Sequence, residues 1–254
     1  MSDTKTPGDV RVSGAGTIAT GTYRTVSVSG SAVLTGDIEC VDFKVSGAAQ
    51  GDGALRAESV TVHGTLSYRG DAEVAAHLRV SGTASFDALK ASDANVSGTL
   101  AVTSVSATTV KVQGLLNVSG DCEAERFTCQ GAFSVDGLLN AGVVDITLGG
   151  KCVAREIGGE AVTVRTGVGA LKLFVTSLIP AWELRLTAES IEGDDVRLEY
   201  TTARAVRGNT VVIGPGCEIE LVEYTGEYSA ASDAIVKTVR KVNEGTSEGG
   251  DAGA

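Results

Sequence analysis

One five-residue phrase (apolar, polar, apolar, polar, Gly) returns along the chain at almost constant spacing, and it restricts the fold more than any other feature. It reads VRVSG at 10–14, VSVSG at 26–30, FKVSG at 43–47 and VTVHG at 60–64. It continues as LRVSG at 78–82, ANVSG at 94–98, VKVQG at 110–114 and FTCQG at 127–131, with a looser VDITLG ending at Gly149. The closing glycines at 14, 30, 47, 64, 82, 98, 114, 131 and 149 lie 16 to 18 residues apart. Copies held in phase over this distance mark a structural repeat rather than a composition bias. A second phrase lies between them: GDIECVDF at 36–43, GALRAESV at 53–60 and GDCEAERF at 120–127 align without gaps, and GKCVARE at 150–156 reads as a further copy.

Alternation with a period of two places one face of a strand in the core and the other in solvent. No segment of the first 150 residues carries the 3.6-residue spacing of a long amphipathic helix. A unit of about 17 residues holds roughly three short strands, too few to bury an apolar face alone. Stacked units bury it together. The expected fold is therefore all-β: a single-stranded, three-sided parallel β-helix with about 17 residues per coil. Val26, Val28, Phe43, Val45, Val60, Val62, Leu78, Val80, Val110, Val112 and Phe127 should point inward, with Lys44, Thr61, Arg79, Lys111 and Thr128 outward. Glycine is expected at corners where the chain bends sharply, often at positive φ.

Composition agrees with this. The chain has 33 Gly, 3 Pro and 4% aromatic residues, yet is 43% hydrophobic, so its core must be built from Val, Leu, Ile and Ala. Disordered chains lack that apolar content. The formal charge of −11 opposes binding to phosphate backbones and to anionic lipid headgroups, and neither a nucleic-acid partner nor a polybasic membrane mode is expected. No run reaches the roughly 18 apolar residues of a membrane span. MSDTKTPGDV lacks an apolar signal core, which places the protein in the cytoplasm, at most peripheral to the inner face of the membrane.

The expected organisation is a flexible N-terminus over 1–9, coils over 10–167, an apolar excursion at 168–183, further coils over 184–224, a capping segment at 225–242 and a disordered acidic tail at 243–254. No catalytic group, metal site or cofactor is expected. His63 falls in a slot filled by Ser or Gln in sister copies, and His77 sits at a strand entry. Cys40, Cys122, Cys129, Cys152 and Cys217 read as free thiols packed as small hydrophobes, with Cys152 aligned to Cys122. The first coil starts close to the N-terminus without a preceding cap, and an open coil edge templates further strands. The candidate self-assembly end is therefore Val10, Val12, Ile18, Val26 and Val28, with the C-terminal end covered. Leu171, Leu173, Phe174, Leu178, Ile179 and Trp182 form a candidate partner-binding or flank-packing patch.

The V-x-V-S-G and G-D phrases near a period of 17, together with VRGNTVVIGPGCEI at 206–219 and GDCEAERFTCQGAFSVDGLLNA at 120–141, resemble bactofilins, in the longer form of Gram-positive rods. The resemblance implies a right-handed coil and nucleotide-free stacking, head to head and tail to tail, into non-polar filaments. It also implies a scaffold for cell shape, with cell-wall or flagellar assembly proteins as partners. The Pro-rich tails and membrane-targeting peptide of shorter members are missing from this sequence. Two other readings stand beside it. A hexapeptide-like acyltransferase would need a strict six-residue frame and a catalytic loop His. A non-polymerising β-helix binding module, such as a secreted polysaccharide binder, would need an export signal and a groove of acidic and basic residues.

Overall fold

The computed structural model describes residues 7–167 and 184–243. Among the described residues nineteen strands lie between Asp9 and Lys241, and every pairing among them is parallel. They wind into a β-solenoid of about 13 turns with about 17 residues per turn. Each coil has three faces. The first carries the V-x-V segment (Val26–Val28), the second follows the repeat glycine (Ala32–Leu34), and the third begins after the next corner (Ile38–Cys40).

Stacking converts the repeat into straight columns. One column on the first face runs Val12, Val28, Val45, Val62, Val80, Val96, Val112, Cys129, Ile146 and Val164, each the register partner of the one before. From Val28 to Val164 every member is at most 1% exposed. Fully burying a Val, Leu or Ile contributes about 1.5–3 kcal/mol, and all the residues expected to face inward do so. Rings enter this narrow core where a neighbour shrinks. Tyr68, 1% exposed, lies over Gly51, where an added Cβ would overlap its ring. Phe127 and Phe133 meet edge to face at 5.4 Å.

The repeat glycines have a cause different from the expected one. None of Gly30, Gly47, Gly64, Gly82, Gly98, Gly114 or Gly131 has positive φ. Instead, a Cβ on each would fall within 3.0 Å of the carbonyl oxygen of the glycine one coil earlier. The corner is drawn tight by hydrogen bonds: the Ser97 and Gly98 N–H groups both donate to Val80 O, and Thr99 N–H donates to Gly82 O. Positive φ belongs to the other corner, at Gly36, Gly53 and Gly70. There the Asp of the G-D phrase serves the backbone: Asp37 Oδ1 accepts from Ala54 N–H at 2.8 Å and Asp121 Oδ1 from Leu138 N–H at 2.8 Å.

Two further expectations change. Cys152 does not stack with Cys122. Cys122 pairs with Leu139 on the third face, whereas Cys152 pairs with Phe133 on the second, so GKCVARE is not a copy of GDCEAERF. Residues 225–242 are not a cap either. The strand Ile235–Lys241 pairs in register with Glu218–Tyr224 and is itself the last coil. The strand Cys152–Thr166 stacks directly on Leu186–Leu198, so the coils resume beyond 168–183 without loss of register.

All five cysteines are buried and free. Burial pushes the Cys40 and Cys122 thiols up to about 12 and Cys217 up to about 11. A thiol-specific chromogenic reagent at pH 8 should therefore find almost no reactive thiol in the native protein and all five after denaturation. Fast labelling of one cysteine under native conditions would contradict this packing.

Candidate functional site: the two ends of the stack

Interior coils have a neighbour on both sides, so their backbone and apolar columns are satisfied. The ends are different. Among the described residues the first strand, Asp9–Val12, pairs only with Ala15–Val28, and the last, Ile235–Lys241, only with Glu218–Ala230. Each leaves a row of N–H and C=O groups without a strand partner, the arrangement that recruits further strands.

At the N-terminal end the expected set divides. Ile18, Val26 and Val28 are 2%, 0% and 1% exposed, already covered by the chain's own coils. Only Val10 and Val12 remain half-buried. Tyr23 closes part of the opening: its ring lies over Gly21 and its hydroxyl donates to Ala19 O at 2.7 Å. Arg24 and Asp9 pair at the rim.

The C-terminal end, expected to be covered, is the more open of the two among the described residues. Ile235, Val239 and Val242 are 60%, 43% and 40% exposed. Beside them Tyr224 and Tyr228 stack at 5.4 Å, and the Lys241 ammonium sits 5.7 Å from the Tyr224 ring centre. The sequence marks Ile235, Val239 and Val242 as apolar; that no coil among the described residues covers them becomes visible only in the structure. Leu171, Leu173, Phe174, Leu178, Ile179 and Trp182 lie outside the described residues.

Along the sides, a groove of about 880 Å³ lies at the corner lined by Gly159, Gly193 and Gly208. Three of its five charged groups are engaged with one another: the Arg207 guanidinium donates to Glu192 at 2.6 Å and to Glu223 at 2.9 Å. That pairing holds the Glu223 carboxyl below its usual range. No group of three or more His, Cys, Asp or Glu among the described residues is placed to hold a metal. One stacked trio has the residue types of a catalytic triad. Ser59, His77 and Asp93 are register partners in successive coils, with His77 Nδ1 3.1 Å from Asp93. They stand where the ladder is irregular, with register shifts between Ala57 and Ser59 and between Val74 and His77. Among the described residues no helix is long and apolar enough to cross a membrane.

The Bacillus subtilis (strain 168) protein YhbE, described as uncharacterized, is 37% identical to this chain over 233 residues, spanning 91% of the chain and 97% of YhbE. YhbF of the same organism, also described as uncharacterized, is 40% identical over 98 residues, 38% of this chain and 37% of YhbF. No protein-family model and no solved structure matches the chain.

Proposed function

The chain belongs to the same family as YhbE, and from that premise we propose that it is a non-enzymatic scaffold subunit that assembles end to end, without nucleotide, into β-helix filaments. The observation that supports the reading is the pair of open ends. Solenoids that remain monomeric usually close their terminal coils with polar caps. Among the described residues the last coil instead exposes Ile235, Val239 and Val242 beside a strand edge without a partner, and the first leaves Val10 and Val12 half-buried. A second copy placed on such an end continues both the backbone ladder and the apolar columns. In the cell the filament would act as a passive platform for shape, cell-wall or flagellar machinery, the role implied by the resemblance to bactofilins.

The test uses residues of the last described coil that are at least 43% exposed. In Ile235→Lys/Val239→Lys the new charges lie at that end, and melting should fall by only a few degrees, since Val239 covers part of Val222. The self-association constant should fall by about thirtyfold or more, as for loss of an interface hot spot. Assembly as strong as that of the unmodified chain, measured by sedimentation velocity, would remove the C-terminal end from the interface.

A further inference from the structure

On two faces of the solenoid the outward charges alternate in sign from coil to coil. The third face stacks Glu39, Arg56, Glu73 and Lys90, then Glu192, Arg207, Glu223 and Arg240. Glu73 lies 3.9 Å from Arg56 and 3.6 Å from Lys90, and Glu223 lies 3.0 Å from Arg240. On the second face Arg204 meets Glu189 at 4.0 Å and Lys237 meets Glu220 at 2.9 Å. Each of these six cations has its anion in a neighbouring coil.

The first face breaks this rule. Its central outward column reads Arg11, Ser27, Lys44, Thr61, Arg79, Asn95, Lys111 and Thr128. A cation stands on every second coil, and each intervening residue is neutral. All four cations are exposed. Arg11, Arg79 and Lys111 have no ion pair among the described residues, and Lys44 reaches Asp42 only at 3.8 Å. Coils about 4.8 Å apart place these charges about 9.6 Å from one another, in a straight line roughly 29 Å long. The column beside it carries Asp9, Asp42 and Asp93: Asp9 pairs with Arg24, Asp42 with Lys44, and Asp93 lies 3.1 Å from His77. Beyond Thr128 the central column continues to Asp145, which pairs with Arg165. The corner opposite this face is acidic, with Asp37, Asp71 and Asp121 holding corner N–H groups. A chain of formal charge −11 thus carries, on the first eight coils of one flat face, a line of four cations of which three have no ion pair among the described residues.

We propose that this face of the first eight coils docks on a bilayer surface rich in anionic phospholipid headgroups. A plane engages all the cations of a straight line at once, whereas the phosphate path of a duplex turns away from it. The acidic corner then points away from the surface, at a distance beyond the Debye length of about 8 Å at physiological ionic strength. Each basic residue near such a surface strengthens binding by about fivefold. Four give weak, reversible attachment for one copy, and chains of copies would multiply it. The line of charge lies within a single copy, so this inference does not depend on end-to-end assembly.

The experiment is co-sedimentation of the full chain with phosphatidylglycerol-containing vesicles and with phosphatidylcholine vesicles. Binding to the first, none to the second, and release at high salt are expected. Arg11→Gln/Lys44→Gln/Arg79→Gln/Lys111→Gln should lower the affinity by about a hundredfold or more with unchanged melting. Arg56→Gln/Lys90→Gln/Arg204→Gln/Lys237→Gln removes the same number of positive charges from the alternating columns and should cost less than about fivefold. Failure of the unmodified chain to bind anionic vesicles would overturn the proposal. Equal losses in the two variants would overturn it as well, as would tighter binding to duplex DNA or polyglutamate than to the vesicles.

Discussion

Val112→Asp should unfold the middle of the solenoid, while Lys111→Asp, one residue away, should be almost silent. Val112 is 0% exposed and stacks between Val96 and Cys129 in a column without a polar partner. A carboxylate there either loses its hydration unpaired or takes up a proton and remains an unsatisfied polar group. The expected loss is about 4–5 kcal/mol or more, a large part of the roughly 5–15 kcal/mol that holds a typical domain together. Because each coil contacts only its neighbours, the damage should divide the stack and broaden the unfolding transition. Lys111 is exposed between Asn95 and Thr128, and its replacement should stay within about 0.5 kcal/mol. Urea denaturation followed by circular dichroism decides the matter; similar midpoints for the two variants would contradict the register.

Gly98→Ala and Gly14→Ala should differ sharply although both glycines close the same phrase. A Cβ on Gly98 would fall within 3.0 Å of Gly82 O and Ser81 O, both backbone atoms that cannot rotate away. Those atoms are fixed by the ladder, with Gly98 N–H bonded to Val80 O at 2.9 Å and Thr99 N–H to Gly82 O at 2.8 Å. Room for a methyl group comes only from parting two coils, with an expected cost of about 3 kcal/mol. A Cβ on Gly14 meets nothing within 4 Å, and its φ is not positive. There the substitution should be neutral or stabilise by up to about 1 kcal/mol, through a less flexible unfolded chain. Equal tolerance at the two positions would mean that close stacking is not why the repeat keeps glycine.

The comparison of these two glycines shows what the sequence can and cannot carry. The period is legible because every interior coil meets the same neighbour in the same way, so the demands for Gly at 30, 47, 64, 82 and 98 and for an apolar residue at 28, 45, 62 and 80 recur in phase. The physical reason for the glycine is not legible, because a positive φ and a close approach select the same residue. Face assignment fails where corners change length. The register shifts between Val135 and Leu138, and the local likeness of GKCVARE to GDCEAERF then places Cys152 on the wrong face. The ends fail for another reason. Val236 and Val239 continue the inward columns of Ile219 and Val222, and nothing in their own segment tells whether another coil follows. Ile18, Val26 and Val28 sit near the start of the chain yet are covered, because one preceding turn suffices to bury them. The charge pattern of the first face joins residues 15 or more positions apart and becomes visible only once the coils are in register.

The central claim, assembly through the ends of the stack, is tested most directly by negative-stain electron microscopy of the purified full chain in buffer without nucleotide or added metal. Filaments or stacked rods, one solenoid wide and many copies long, are the predicted result. A uniform field of single rods roughly 60 Å long, the length of about 13 coils at 4.8 Å each, would contradict it.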